Sequence, residues 1–210
     1  MDSVKFGDKI AFEDYGAIMN YARISPASVK ENYVDIAGGD SSIDLTEAVG
    51  GVVYDDGEIE FKFTLKDSEK KEKMKNDLHG KRMQIILDRE SNFFYDGRVK
   101  CTKDEWNKGL HELHFIAKVK PYKNEIREFI HTENIKSNKE QKIYIENTRK
   151  PVMPRITVTG NLFVSYDGMK YNFTDGVYQF PEFTFFEGRN CVSIHGNGTI
   201  KFEFRRGNLI

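Results

Sequence analysis

Between Glu58 and Lys66 the chain alternates without a break: Ile59, Phe61, Phe63 and Leu65 fall on one side, Glu58, Glu60, Lys62 and Lys66 on the other. A period of two places these sets on opposite faces of a strand, one buried and one wet, and no helix accommodates it. The same period recurs in Leu113, Phe115, Ala117 and Val119, in Ile156 and Val158, and in Ile200, Phe202 and Phe204. Between such runs lie Asp56-Gly57, Asp96-Gly97, Asp167-Gly168 and Asp175-Gly176, dipeptides suited to tight hairpin turns. Gly196-Asn197-Gly198 reads as another hairpin turn. Pro181 interrupts an aromatic run and implies an edge or bulged strand there.

Only one segment reads as helix. Asp67 or Ser68 can cap it, Met74 and Leu78 repeat at i,i+4, and Gly80 follows as a stop. Strand-helix alternation is absent, which argues against a doubly wound sheet and its nucleotide crevice. The expectation is an all-β protein with one short helix over about Asp67 to His79. The charge-rich stretch Lys123–Lys142 after Pro121-Tyr122 suggests a boundary, giving domains 1–121 and 122–210, the second a sandwich or jelly roll.

Composition narrows function by exclusion. Lys+Arg 32 against Asp+Glu 33 gives a net charge of -1, so no global basic field draws the chain to nucleic acid or an anionic membrane. Mean hydropathy is -0.60, and no apolar run approaches the roughly 18 residues of a spanning helix. The N-terminus lacks the layout of a secretory signal, so Cys101 and Cys191 are expected as reduced, buried thiols. The matches at Asn172-Phe173-Thr174 and Asn197-Gly198-Thr199 then carry no glycan.

Motifs of chemistry fail on geometry. His111 and His114 are three apart on a strand and point to opposite faces, so one metal cannot take both. Asp40, Asp44 and Glu47 lack the spacing of an EF-hand, and a turn with Asp bonded to backbone amides accounts for them. No nucleophile motif occurs. No catalytic residue, metal site or cofactor is expected. Among the aromatics, Tyr166, Tyr171 and Tyr178 are the candidates for a sugar-stacking platform, in the alternative reading of a lectin-like β-sandwich protein.

Several stretches in fixed order resemble a family. Phe12-Glu13-Asp14-Tyr15-Gly16, Val34-Asp35-Ile36-Ala37-Gly38-Gly39-Asp40, Ile43-Asp44-Leu45 and Ile59–Phe63 are followed by the helix, Gly80, Ile85-Ile86-Leu87 and Phe115–Tyr122. In the second half come Asn147, Pro154, Ile156–Gly160, Phe183, Glu187-Gly188-Arg189-Asn190 and Phe204–Leu209. Together these resemble the siphophage distal tail protein (Dit) family nearly end to end. Thr148 and Ala37 depart from it at two turns.

The resemblance implies a structural protein of a phage, prophage or bacteriocin tail tip, made in the bacterial host cytoplasm and located at the tip of the virion tail. Residues 1–121 would build a homohexameric ring, and a galectin-like C-terminal β-sandwich would project from it. The implied partners are other copies of the chain, the tail tube protein, and a tail-associated hub or receptor-binding protein. Ring-interface candidates, chosen because they carry the resemblance, are Gly38, Gly39 and Asp40 with Glu58, Glu60 and Lys62 of the alternating strand.

Overall fold

The computed structural model describes residues 3–48 and 50–210, with Ser137 and Asn138 described in their backbone only. Strands hold 60% of the chain and helices 9%, which places it in the all-β class. The chain divides into two compact units, one ending at Lys123 and joined by Leu209–Ile210, the other Asn124–Asn208. No helix of the described residues is long and apolar enough to cross a membrane.

The first unit runs β1 (Val4–Phe6), β2 (Lys9–Ile10), α1 (Ala11–Tyr15), β3 (Ile18–Ser25), β4 (Tyr33–Val34), β5 (Ile43–Asp44), β6 (Gly57–Leu65), α2 (Ser68–Leu78), β7 (Arg82–Leu87), β8 (Phe93–Asn107) and β9 (Leu110–Val119). Its main sheet is antiparallel in the order β2-β1-β7-β8-β9-β6-β3. The alternating segment is the interior strand β6, next to the edge strand β3 and buried at every odd position, with Phe61 opposite Phe115 and Phe63 opposite Leu113 on β9. Burying one such side chain is worth about 1.5–3 kcal/mol. In a flat sheet β1 would lie four strand spacings from β6, about 19 Å. The Phe6 and Phe61 rings are nevertheless 5.2 Å apart, so the sheet curls over its own apolar face.

The helix α2 matches its expected span. Asp67 accepts the Glu69 and Lys70 amides at 2.8 and 3.0 Å, and Met74 and Leu78 are buried. A second helix, α1, was not anticipated. It has five residues, too few to register a period, and ends on Gly16 at φ 63. It buries Ala11 and Tyr15, and the Tyr15 hydroxyl donates to Asp77 of α2 at 3.0 Å.

The strand β10 (Tyr122–Glu125) leads to the second unit, β11 (Phe129–Asn147), β12 (Arg155–Tyr166), β13 (Met169–Phe173), β14 (Gly176–Tyr178) and β15 (Gly188–Phe204), before the terminal β16 (Gly207–Leu209). Its antiparallel sheet has the order β11-β15-β12-β13, with β14 also on β12. The charge-rich stretch that suggested a boundary is largely β11, at 19 residues the longest strand. On β12, Ile156 and Tyr166 are ten residues apart, about 33 Å in an extended strand. Phe202 is paired with Ile156, and the Phe183 ring lies 4.8 Å from Tyr166 and 6.0 Å from Phe202. The strand ends therefore meet across the core: one sheet is bent into both layers of a sandwich.

The bend corrects the reading of Gly196-Asn197-Gly198. These residues are the middle of β15, with Gly198 opposite Gly160 on β12. A Cβ on Gly198 would fall 2.1 Å from the Thr159 carbonyl oxygen, and Gly160 sits at φ +90 with its Cβ position 2.3 Å from the Asn197 oxygen. Only glycine lets the strands approach this closely. Asp96-Gly97 likewise lies inside β8, paired with β7 and β9, and Gly57 and Gly176 begin strands. Two-residue hairpins in which both central residues have positive φ are at Asp167-Gly168 and, unforeseen, Lys108-Gly109, and Gly7-Asp8 joins β1 to β2 by another two-residue turn. Pro181 falls in a turn rather than a strand.

Gly198→Ala is expected to destabilise the protein by about 3 kcal/mol through overpacking against backbone. Gly51→Ala, whose Cβ would meet nothing within 4 Å, is expected to stay within about 0.5 kcal/mol. Thermal melts of the two variants read the difference; equal melts would contradict the bend.

Candidate functional site

Residues 26–48 and 50–56 leave the first unit's sheet as a two-stranded arm between β3 and β6. Its base is held by Lys30 N–H to Val53 O and Asp55 N–H to Ser28 O, each 2.8 Å. Further out, Tyr33 pairs with Asp44 and Val34 with Ile43, and Leu45 N–H donates to Asn32 O at 2.7 Å. Gly38, at φ +82, turns the tip. Asp44 Oδ1 accepts the Thr46 amide at 2.9 Å, the backbone-bonded turn expected of this loop, and the Thr46 hydroxyl first, then this amide, lower the Asp44 carboxyl below its ordinary range.

An apolar side chain on a two-stranded arm has no second layer to cover it. Tyr33 is 54% exposed and Val53 56%, and Val34, Ile36 and Ile43 are exposed as well. Among described residues these form a concentration of uncovered apolar surface on one thin element, the signature of a contact surface. The sequence expectation placed Gly38, Gly39 and Asp40 at a candidate interface, and all three are exposed at the arm's tip. Glu58, Glu60 and Lys62 sit elsewhere, half-buried on the outer face of β6. Nothing local marks the arm's apolar residues as exposed, since a pair such as Val34 and Ile36, or Ile43 and Leu45, reads the same on a covered strand.

The outer face of the main sheet is charged. Lys62 Nζ is 2.8 Å from Glu112, a contact that raises the lysine and lowers the carboxyl. Across β7, β8 and β9, Arg82 stands opposite Arg98, and Arg98 opposite Lys118. With Lys100 and Lys120 they line a concavity of about 250 Å³. Arg82 pairs with Asp96 at 2.5 Å and Lys120 with Asp56 at 3.3 Å, while Lys100 and Lys118 have no acidic partner among described residues. Reading Asp96-Gly97 as a turn hid this row.

On α2, Asp104 of β8 receives Lys75 at 2.8 Å and Lys71 at 3.1 Å, with Glu72 completing the cluster. Burial alone would raise the Asp104 carboxyl, but the two ammonium groups bring it below its ordinary value. The network ties helix to sheet.

Glu105, Glu112 and His114 bring ligand-type atoms within 4.8 Å of one another, yet Lys62 already occupies Glu112 and supplies the positive charge a cation would bring. His111 is on the other face of β9, packed edge-on to Trp106 at 4.5 Å. Asp40, Asp44 and Glu47 do not converge to coordinating distance. Of the thiols expected to be buried, Cys101 is half-buried and Cys191 exposed; burial raises the Cys101 thiol.

The three sugar-stacking candidates are used internally. Tyr166 is buried, its single hydroxyl proton shared between Asn190 Oδ1 at 2.7 Å and Thr184 O at 2.8 Å, and burial pushes its pKa up to about 12. Tyr171 packs parallel to Phe173 at 5.7 Å, and Tyr178 lies 4.7 Å from the same ring. Asn190 also accepts the Phe186 amide and donates to carbonyls of Ile145, Phe186 and Gly188. It clamps the sandwich.

No family model and no curated protein matches the sequence. Among solved structures, the chain is similar to the SPP1 Dit protein, described as a paradigm of the hub adsorption apparatus in phages that infect Gram-positive hosts. The TM-score is 0.72 at 15% identity, covering 98% of this chain and 99% of that one. The fold is that of a siphophage distal tail protein, as the sequence resemblance implied.

Asp104→Asn is expected to lower stability by about 1 kcal/mol at pH 7, a modest value for a partly exposed network. Because the folded carboxyl lies below its unfolded value, its contribution is complete above the ordinary carboxylate range of about 4 and is lost as pH falls through the lowered value. Melting temperatures of variant and parent should converge as pH falls through that lowered value. A gap persisting there would refute the charge network.

Proposed function

We propose that the chain is a structural component of a phage or prophage-derived tail tip: a distal tail protein that forms a homohexameric ring and links the tail tube to tail-associated or host-recognition proteins. The supporting observation is the fold shared with SPP1 Dit over 98% of the chain. In this reading the first unit builds the ring and the second, a bent-sheet sandwich, is its galectin-like appendage. The particle forms in the bacterial host cytoplasm, and the protein resides at the tail tip.

The arm supports self-association. A ring needs a head-to-tail interface whose rotation closes, so each protomer must offer one surface and accept a different one. An arm with uncovered Tyr33, Val34, Ile36 and Ile43 is suited to be the offered surface, and Gly38, Gly39 and Asp40 ride at its tip. Glu58, Glu60 and Lys62 stand half-buried on the outer face of the same sheet, beside the surface such a contact would use. The role is assembly rather than catalysis. A lectin reading lacks its support, since Tyr166 is buried and Tyr171 and Tyr178 lie against Phe173.

The test is the particle. Purified tails are expected to carry six copies at the distal end, seen by electron microscopy with antibody label; tails lacking the expressed protein reject the proposal. Tyr33→Asp with Ile43→Asp should leave the protomer's melt within about 0.5 kcal/mol of the parent, as both are exposed, while tails from cells expressing only the variant should lose the tip structure.

A further inference from the structure

The arm is acidic, and the concavity on β7, β8 and β9 is lined by five cations against two carboxylates, Asp56 and Asp96. From Glu31 to Val53 the chain has five carboxylates, Glu31, Asp35, Asp40, Asp44 and Glu47, and no Lys or Arg. None of these side chains has a cation within ion-pair distance among described residues; the one ion pair on the arm is at its base, Lys30 to Asp55 at 3.6 Å. The field of Asp44 and Glu31 raises the Tyr33 hydroxyl's pKa, so the acidic character is concentrated beside the exposed apolar residues.

The concavity is the reverse. Arg82, Arg98 and Lys118 face one another directly across three strands, an arrangement that disfavours a sheet, since like charges in register repel. Arg82 is held by Asp96, Arg98 donates to the Gly80 carbonyl, and Lys118 stands opposite Glu58 on β6, so the surplus of positive charge that folding leaves there rests on Lys100 and Lys118. The strands beneath are central and rigid, and Gly97 lies in the floor, where a Cβ would fall 2.5 Å from the Lys118 carbonyl oxygen. Lys100 and Lys118 remain without acidic partners among described residues.

We infer that this in-register cation row is the acceptor for the acidic arm of a second copy of this chain. The arm brings five carboxylates and an apolar strand pair, and the row brings rigid cations around a hollow of about 250 Å³. The two surfaces are different, which a heterologous closing interface demands. Complementary charge sets register and encounter rate, while the exposed Tyr33, Val34 and Ile43 supply apolar burial. The inference rests on the ring reading and names the two faces that meet.

The experiment mixes isotopically heavy and light protein at high concentration, measures mass by light scattering, and treats the mixture with a carbodiimide, which joins lysine to carboxylate only in direct contact. Mixed-label links are expected between Lys100, Lys118 or Lys120 and the carboxylates from Glu31 to Glu47. Arg98→Glu with Lys118→Glu should reduce them about tenfold. Adding Asp44→Lys and Glu47→Lys to the same chain should restore assembly. The substituted residues are exposed, and an unchanged melt of each variant shows that the protomer still folds. An oligomer whose links lie elsewhere, or whose mass is indifferent to charge reversal, overturns the inference and leaves the ring standing. A monomer without mixed-label links at every concentration overturns both.

Discussion

A sheet that is apolar on one face has to cover that face, and each unit does so by turning its sheet back on itself. In the first, curling brings Phe6 onto Phe61 and Phe63. In the second, a sharper bend brings both ends of β12 against Phe183 and Phe185. The bend is permitted at one place, where Gly160, Gly196 and Gly198 leave the space a Cβ would occupy filled by neighbouring backbone. The aromatic core and the buried Asn190 clamp depend on that closure.

Closure leaves the outer faces and the arm as the surfaces available to other molecules. On the outer face of the first sheet some charges find partners, as Lys62 does in Glu112 and Arg82 in Asp96. Others are arranged against their own interest, with Arg98 between Arg82 and Lys118. The arm has the opposite imbalance together with uncovered apolar groups. A protomer carrying both is electrostatically unfinished while its total charge stays near zero, so net charge conceals the property that an assembling protein uses.

Residues carrying the family resemblance turn out to divide by physical role. Asn147 and Asn190 are buried donors holding backbone carbonyls of the second unit, and Gly16 ends α1 in the left-handed region; such positions specify the fold. Gly38, Gly39 and Asp40 touch no core and lie on the arm. That division explains how a fold can be shared at 15% identity: the closure constraints are few and local, and the remaining positions need only keep their side of the sheet.

The sequence by itself determined the strands, because a period of two is an uninterrupted local signal, and it determined α2, because Asp67, Met74, Leu78 and Gly80 each act within a few residues. It also carried, in the order of its short motifs, the distal-tail fold. Tertiary structure alone decided what the glycines do: Gly97, Gly196 and Gly198 read as turn residues until strands from distant parts of the chain lie against them. It decided that Tyr166 is core and Tyr33 is not, since alternation looks the same on a covered sheet and on a thin arm. It also assembled the cation row, whose members come from three strands. Local periodicity is written along the chain, whereas closure and cross-strand register exist only between segments far apart in sequence.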